Sequence, residues 1–461
     1  MSLKNENSTN SEKIRFQEDP PLKNYLLFSM PRTSTSIVLT VVDFCILFLY
    51  KEGYGLTPFL IGFSLMMGKF AIAISQSTMG WLSDKLDTRM GRRKPFMIIG
   101  APALSLSFIL LLLPPIFLGS SPVQLDLFIW LLIWDVSFQF FYGFLTTPYQ
   151  SWMAEQFKVD QRPKASAFQN IFNYVGTAVA LLLTIIILPQ VLDDFLKTQK
   201  LDPAFILILF IFAIVTIVLF YLSALLLPKE ETEAGEWSFI EDFKKIIKDT
   251  NFISVCLLVG IASLTWSMIT GVMLDYINVV LNLTETVDTI LGAGVLALGV
   301  IIALFVWKKV IAKSGKKIAL NYILLWAIIV LPFTAILPVL PFENYLVPAL
   351  ILVGIVAAAL GGWYLFPYII YADLAENDQK STEENELKAG LYTGFPSILL
   401  NIFQAFGLLL IGSILELPPF PTRDYSWGYL LWGPIGSIIL VIALIYLRRY
   451  ITLDFEWEKE T

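Results

Sequence analysis

The chain has 461 residues, of which 56% are hydrophobic and only 15% charged, where a soluble globular protein carries about a quarter charged residues. That balance excludes a water-soluble protein. The net charge of −6, from 32 basic and 38 acidic residues, arises mostly in polar segments between apolar runs, so it points to no charged partner, and no nucleic acid is expected.

In chain order, the first 22 residues are polar and lack the pattern of a signal peptide, so a short disordered tail is expected over 1–22. Apolar runs of roughly 20 residues then recur almost to the end, each long enough at about 1.5 Å per residue to cross a hydrocarbon core of about 30 Å. Twelve spans are predicted, beginning near Leu26, Thr57, Pro95, Asp126, Ala165, Pro203, Phe252, Val287, Ala319, Asn344, Gly390 and Trp427. The fold is therefore read as all-α, a polytopic membrane protein. Its divisions are expected at 23–228, a linker at 229–250, 251–448 and a tail at 449–461.

Basic residues mark cytoplasmic loops, and here they crowd alternate loops: Lys85 to Lys94, Lys158 to Lys164, Lys229 to Lys248, Lys308 to Lys317, Lys380 and Lys388, then Arg448 and Arg449. Both termini are accordingly expected in the cytoplasm, with the protein in the plasma membrane. Within the first of those loops, Gly91 is followed at once by Arg92 and Arg93 as the next span opens; six spans later Gly315 is followed by Lys316 and Lys317. That recurrence predicts two related six-helix halves around a central site, an arrangement used by secondary transporters.

Three charges lie inside the predicted spans: Asp43, Lys69 and Asp135. A charge near the bilayer centre costs about 2.5–3.5 kcal/mol on insertion scales and tends to be functional. Their positions put all three at about 12 to 18 Å below one surface, where they could meet. Two carboxylates and one ammonium leave one negative charge, which a proton or Na⁺ could neutralise; the alternative is a structural ion pair beside a neutral carboxyl.

Polar residues extend these charges along helix faces. Asp135, Gln139, Tyr142 and Thr146 fall at i, i+4, i+7 and i+11. Gln76 lies two turns after Lys69, Gln169 and Asn173 share a face of span five, and Asn401 and Gln404 continue a stripe in span eleven. Such stripes either glue helices together or line a shared polar cavity. Trp266 and Trp363 are rings that could stack on a sugar, although aromatics in such chains more often pack or sit at the interface. Glu155 and Asp373 fall just past the inner ends of spans four and ten, as candidate gate or loop contacts.

The chain has no histidine, and Cys45 and Cys256 both sit in apolar runs, so no metal centre, disulfide or histidine chemistry is expected. No G-x-x-x-x-G-K-[ST] phosphate loop and no arrangement of nucleophile and base is found. A transporter with no cofactor is expected, and not an enzyme.

GWLSDKLDTRMGRRKPFMIIGAP resembles the loop signature of the major facilitator superfamily, and more narrowly that of the glycoside-pentoside-hexuronide:cation symporters and related sucrose-proton symporters. YADLAENDQKSTEENELKAGLYTGF and TPYQSWMAEQF followed by QRPKASAFQNIFNYVG are similar to further signatures of that family. The resemblance implies twelve helices in two pseudo-symmetric six-helix halves that rock about a central site. It also implies a cytoplasmic gate at the span-two loop, here Asp84, Arg92 and Arg93. The residues depart from the sodium-coupled branch: Lys69 matches its basic position, but its carboxylates fall on Ile72, Gln76 and Thr146. The proton-coupled branch is the closer analogy. The expected function is secondary active symport of a glycoside or similar polyhydroxylated solute with a proton, or with Na⁺, by a monomer in the lipid bilayer. An amphiphilic ligand, an uncoupled facilitator and a non-transporting sensor are the alternatives.

Overall fold

In lipid a helix must satisfy its own amides, and the apolar runs fold accordingly. A computed structural model describes residues 20–86, 88–119, 122–158, 161–229, 247–283, 286–363, 389–421, 423–451 and 453, with positions 154, 163, 286, 289, 293, 297 and 389–394 given by backbone alone. Among the described residues, twelve helices are long and apolar enough to cross a membrane: α1 Leu22–Gly53, α2 Pro58–Lys85, α3 Lys94–Leu112, α4 Gln124–Ser151, α5 Lys164–Thr198, α6 Pro203–Leu226, α7 Thr250–Val280, α8 Ile290–Ser314, α9 Lys316–Val339, α10 Leu346–Trp363, α11 Phe395–Leu415 and α12 Gly428–Tyr450.

Their starts follow local chemistry. Proline, whose missing N–H costs nothing in a first turn, opens α2 at Pro58 and α6 at Pro203. Asp202 caps α6 by accepting from the Ala204 amide at 2.8 Å, and Asp249 caps α7 by accepting from the Phe252 amide at 3.0 Å. Gly91 and Gly315 take φ of +102° and +81°, a conformation that favours glycine, and each turns the chain sharply into α3 or α9.

The bundle is ordered by burial. α1 and α7 have 72% and 67% of their apolar windows buried, against 28% for α6, which presents Leu207, Ile214 and Leu225 outward. α1 and α7 are central, and α6 is lipid-facing.

Two six-helix halves repeat one set of contacts. α1 packs on α5, and α7 on α11; α3 packs on α6, and α9 on α12. A Cβ at Gly176 of α5 would run into the Thr33 carbonyl and Ser36 of α1; one at Gly407 of α11 would run into the Leu264 carbonyl and Ser267 of α7. One and the same sequence offset separates all three pairs of residues. At the end of the bundle holding the α2–α3 connection, Lys94 Nζ donates to the Leu227 carbonyl at 2.7 Å and Lys317 Nζ to the Ile451 carbonyl at 2.6 Å. These are matching caps on the ends of α6 and α12. The halves meet where α2 packs on α11, α1 on α7, and the middle of α5 on α8.

Candidate functional site

α2 is the hub of the charged set. Lys69 Nζ donates to Asp43 Oδ1 of α1 at 3.1 Å. Lys69 is nearly buried and the Asp43 side chain 28% exposed, so the pair keeps one route to water. One residue earlier, Gly68 gives α4 its room: a Cβ there would collide with the Asp135 carboxyl and stand 3.0 Å from Gln139 Cγ. Asp135 is wholly buried, and neither of its oxygens has a hydrogen-bond partner among the described residues. Asp43 and Lys69 are charged neighbours that act on it. The three intramembrane charges are therefore gathered around one turn of α2, with Asp135 in contact with the backbone there and bonded to neither of the other two.

The polar stripes divide. On α4, Asp135, Gln139, Tyr142 and Thr146 are all buried, forming a single face, as their spacing predicts. Gln139 Oε1 also has no partner among the described residues, whereas the Thr146 hydroxyl is spent inside its helix, donating to the Tyr142 carbonyl at 2.7 Å. Two turns past Lys69, the Asn401 amide donates to Gln76 Oε1 at 3.1 Å, a hydrogen bond between the halves. Asn173 accepts from Ser36 at 2.5 Å, and the Gln404 carbonyl accepts from Ser267 at 3.0 Å; these two predicted polar positions are counterparts across the pseudo-symmetry. Gln169 is turned to the Tyr149 hydroxyl at 3.1 Å, binding α5 to α4. Trp266 and Trp363 line an apolar cavity with Ala262, Ile323, Leu324 and Leu440 among others, and none of the three charges lines it. That cavity is partly open and is lined by α7, α9, α10 and α12, all in the second half.

The family described as MFS/sugar transport protein matches residues 27–447. The chain belongs to that family. It is thus a multi-pass membrane transporter of small-molecule solutes and not an enzyme. A stretch of 154 residues, 33% of this chain and 28% of the relative's length, is 29% identical to an uncharacterised symporter of Synechocystis sp.. A bacterial homologue of the human lysosomal transporter Spinster, in an inward-facing and unoccupied conformation, superposes with a TM-score of 0.64 at 14% identity, over 94% of this chain and 98% of its own. The nucleoside transporter NupG gives 0.63 at 11% identity over 93% and 99%, and a D-xylose-proton symporter 0.61 at 12% identity over 93% and 96%. At such identities these structures show the fold alone.

In this transporter the loop signature closes on itself. Arg93 Nη2 donates to Glu155 Oε1 at 2.8 Å and Arg92 Nη2 to the same oxygen at 3.1 Å. Arg93 also pairs with Asp84 and bonds Ser83. Burial works against the Arg93 charge, but hydrogen bonding to Glu155 and the field of Asp84 more than offset it, so its pKa is raised. Asp84, Arg92, Arg93 and Glu155 thus form one cluster, tying the α2–α3 connection to the segment after α4, within the first half. Asp373, predicted to join it, lies outside the described residues.

Sequence reasoning missed Gly68, and it missed a fourth intramembrane charge. Asp275, in the run GVMLDYINVV, lies 3.4 Å from Lys51 at the other end of the bundle. An acidic residue late in an apolar run was the available signal for it.

Proposed function

We propose that this protein is a secondary active transporter of the plasma membrane that moves a glycoside or similar polyhydroxylated solute by alternating access, in symport with a proton. The observation that carries the reading is Asp135: a buried carboxyl with no hydrogen-bond partner among the described residues, packed against Gly68 beside the Lys69–Asp43 pair. A proton on this set neutralises its surplus negative charge, so the loaded and empty carriers differ by one charge at mid-membrane. Gln76, Gln139, Tyr142 and Asn401, grouped around the same helix, supply donors and acceptors for hydroxyl groups. The family description, and the words symporter and xylose-proton symporter in the names of similar proteins, agree with this reading. The distribution of basic residues among the loops supports cytoplasmic termini, and the reading takes the transporter to act as a monomer.

The apolar cavity at Trp266 and Trp363 favours a second reading, an amphiphilic solute whose tail that cavity takes.

The test is uptake of a labelled panel of sugars, glycosides and alkyl glycosides into proteoliposomes under an inward proton gradient, with Na⁺-gradient and gradient-free controls. One proton per solute supports accumulation of about tenfold per pH unit, since about 1.4 kcal/mol is a factor of ten. Asp135→Asn is expected to abolish accumulation while sparing counterflow. Unchanged uphill uptake removes Asp135 from the mechanism; uptake of alkyl glycosides alone selects the second reading.

A further inference from the structure

At the end of the bundle remote from Arg93, the two halves are joined by charge. Lys51, at the end of α1, lies 3.4 Å from Asp275 Oδ2 of α7 and donates to the Tyr429 hydroxyl of α12 at 2.6 Å. Tyr429 donates in turn to Asp275 Oδ2 at 2.7 Å, and Glu52 pairs with the ammonium from its own helix. Asp275 is wholly buried, and its second oxygen has no hydrogen-bond partner among the described residues. A buried charge whose only ammonium among the described residues comes from the opposite half is compensated only while the halves touch. If they part, water replaces the partner.

The backbone changes form at the end of the first helix of each half. α1 ends in a π turn over Leu49–Gly53 and α7 in one over Tyr276–Val280. Each is closed by an amide six residues on, Leu56 to the Tyr50 carbonyl at 2.9 Å and Leu283 to the Ile277 carbonyl at 3.2 Å. π turns are rare and concentrate at functional sites. Here two of them flank one inter-half ion pair: Lys51 lies within the first, and Asp275 immediately precedes the second.

We propose that Lys51, Asp275 and Tyr429 form a latch that holds this end of the solute path shut, and that the two π turns are the segments that yield when it opens. These are gating residues: they touch each other across the halves, about two turns along α1 from Asp43. The inference rests on alternating access alone, and not on the solute or the coupling ion.

The two partners are unequal. Lys51→Gln leaves the Asp275 carboxylate buried without its ammonium, which favours the open, hydrated arrangement strongly. Asp275→Asn removes the buried charge itself and leaves Lys51 with Glu52, which favours opening less.

The experiment measures distance in the full chain in lipid nanodiscs, with no solute present. Spin labels are placed at Val123→Cys and Val347→Cys, exposed positions beside α4 and on α10, in a background carrying Cys45→Ala and Cys256→Ala. The ratio of long to short distances is expected to rise about tenfold in Lys51→Gln, by less in Asp275→Asn, and in the double variant only as far as in Asp275→Asn. An unchanged distribution in folded, monodisperse Lys51→Gln overturns the latch, as does a larger effect from Asp275→Asn than from Lys51→Gln. Should Lys51→Gln fail to fold, Tyr429→Phe, which keeps the ring and loses only the hydroxyl, is expected to raise the same ratio a few-fold; no change then overturns the proposal. Because neither sugar nor gradient enters, a failed latch and a failed symport reading give different results.

Discussion

Gly68 decides where Asp135 can sit. Its missing Cβ is the space that the Asp135 carboxyl occupies, and α4 is pressed against α2 again at Gly143, where a Cβ would come within 2.9 Å of Ser75 Cβ. Gly68→Ala therefore has to rotate the carboxyl or lift α4, the kind of overpacking that costs about 1–3 kcal/mol. A matching loss in thermal stability is expected, with gradient-driven accumulation reduced more than exchange. If both stay at the parent level in unfolding and uptake assays, the carboxyl is not held where the structure places it. The charges themselves were legible, because Asp43, Lys69 and Asp135 interrupt apolar runs and depth follows from residue count. Their pairing was not, because spacing does not fix how a helix is rotated about its axis. That rotation sets Lys69 on Asp43 and leaves Asp135 facing backbone.

The helix ends record the internal repeat most plainly. Sequence shows a glycine followed by basic residues before spans three and nine; structure gives both glycines a positive φ and directs Lys94 and Lys317 onto the last carbonyls of α6 and α12. A terminal carbonyl without its donor is costly in a medium with little water. Lys94→Met and Lys317→Met are each expected to lose about 1–3 kcal/mol, as a drop in melting temperature in detergent. Lying in opposite halves, on the ends of different helices, their effects should add. A strongly non-additive double variant would show instead that the two caps are coupled through the bundle. The same repeat pairs Asn173 with Gln404, which no composition or periodicity argument could do. Their correspondence rests on the matched close approaches at Gly176 and Gly407.

Among the described residues, the halves approach backbone to backbone where α2 crosses α11. A Cβ at Gly62 would fall 2.6 Å from the Leu408 carbonyl; one at Gly412 would fall 2.5 Å from the Pro58 carbonyl and 3.0 Å from Gly62 Cα. Backbone lies on backbone here, as small residues permit in membrane bundles, and the Phe59 amide donates to Glu416 Oε1 at 3.0 Å across the same seam. Further along, the seam passes through Phe70 against Phe406 and ends, among the described contacts, at Gln76 and Asn401. A carrier that exposes its site to each side in turn has to part this seam at one end while closing it at the other. Gly412→Leu puts a side chain where two backbones must touch, so the end near Lys51 can open but not close. All modes of transport should then fail together, counterflow included, whereas loss of the Asp135 charge should spare counterflow. The Val123–Val347 distance distribution of Gly412→Leu should match that of an opened latch. Retained counterflow with the parent distances would mean that the bundle moves about some other contact, and that the glycine crossing serves packing alone.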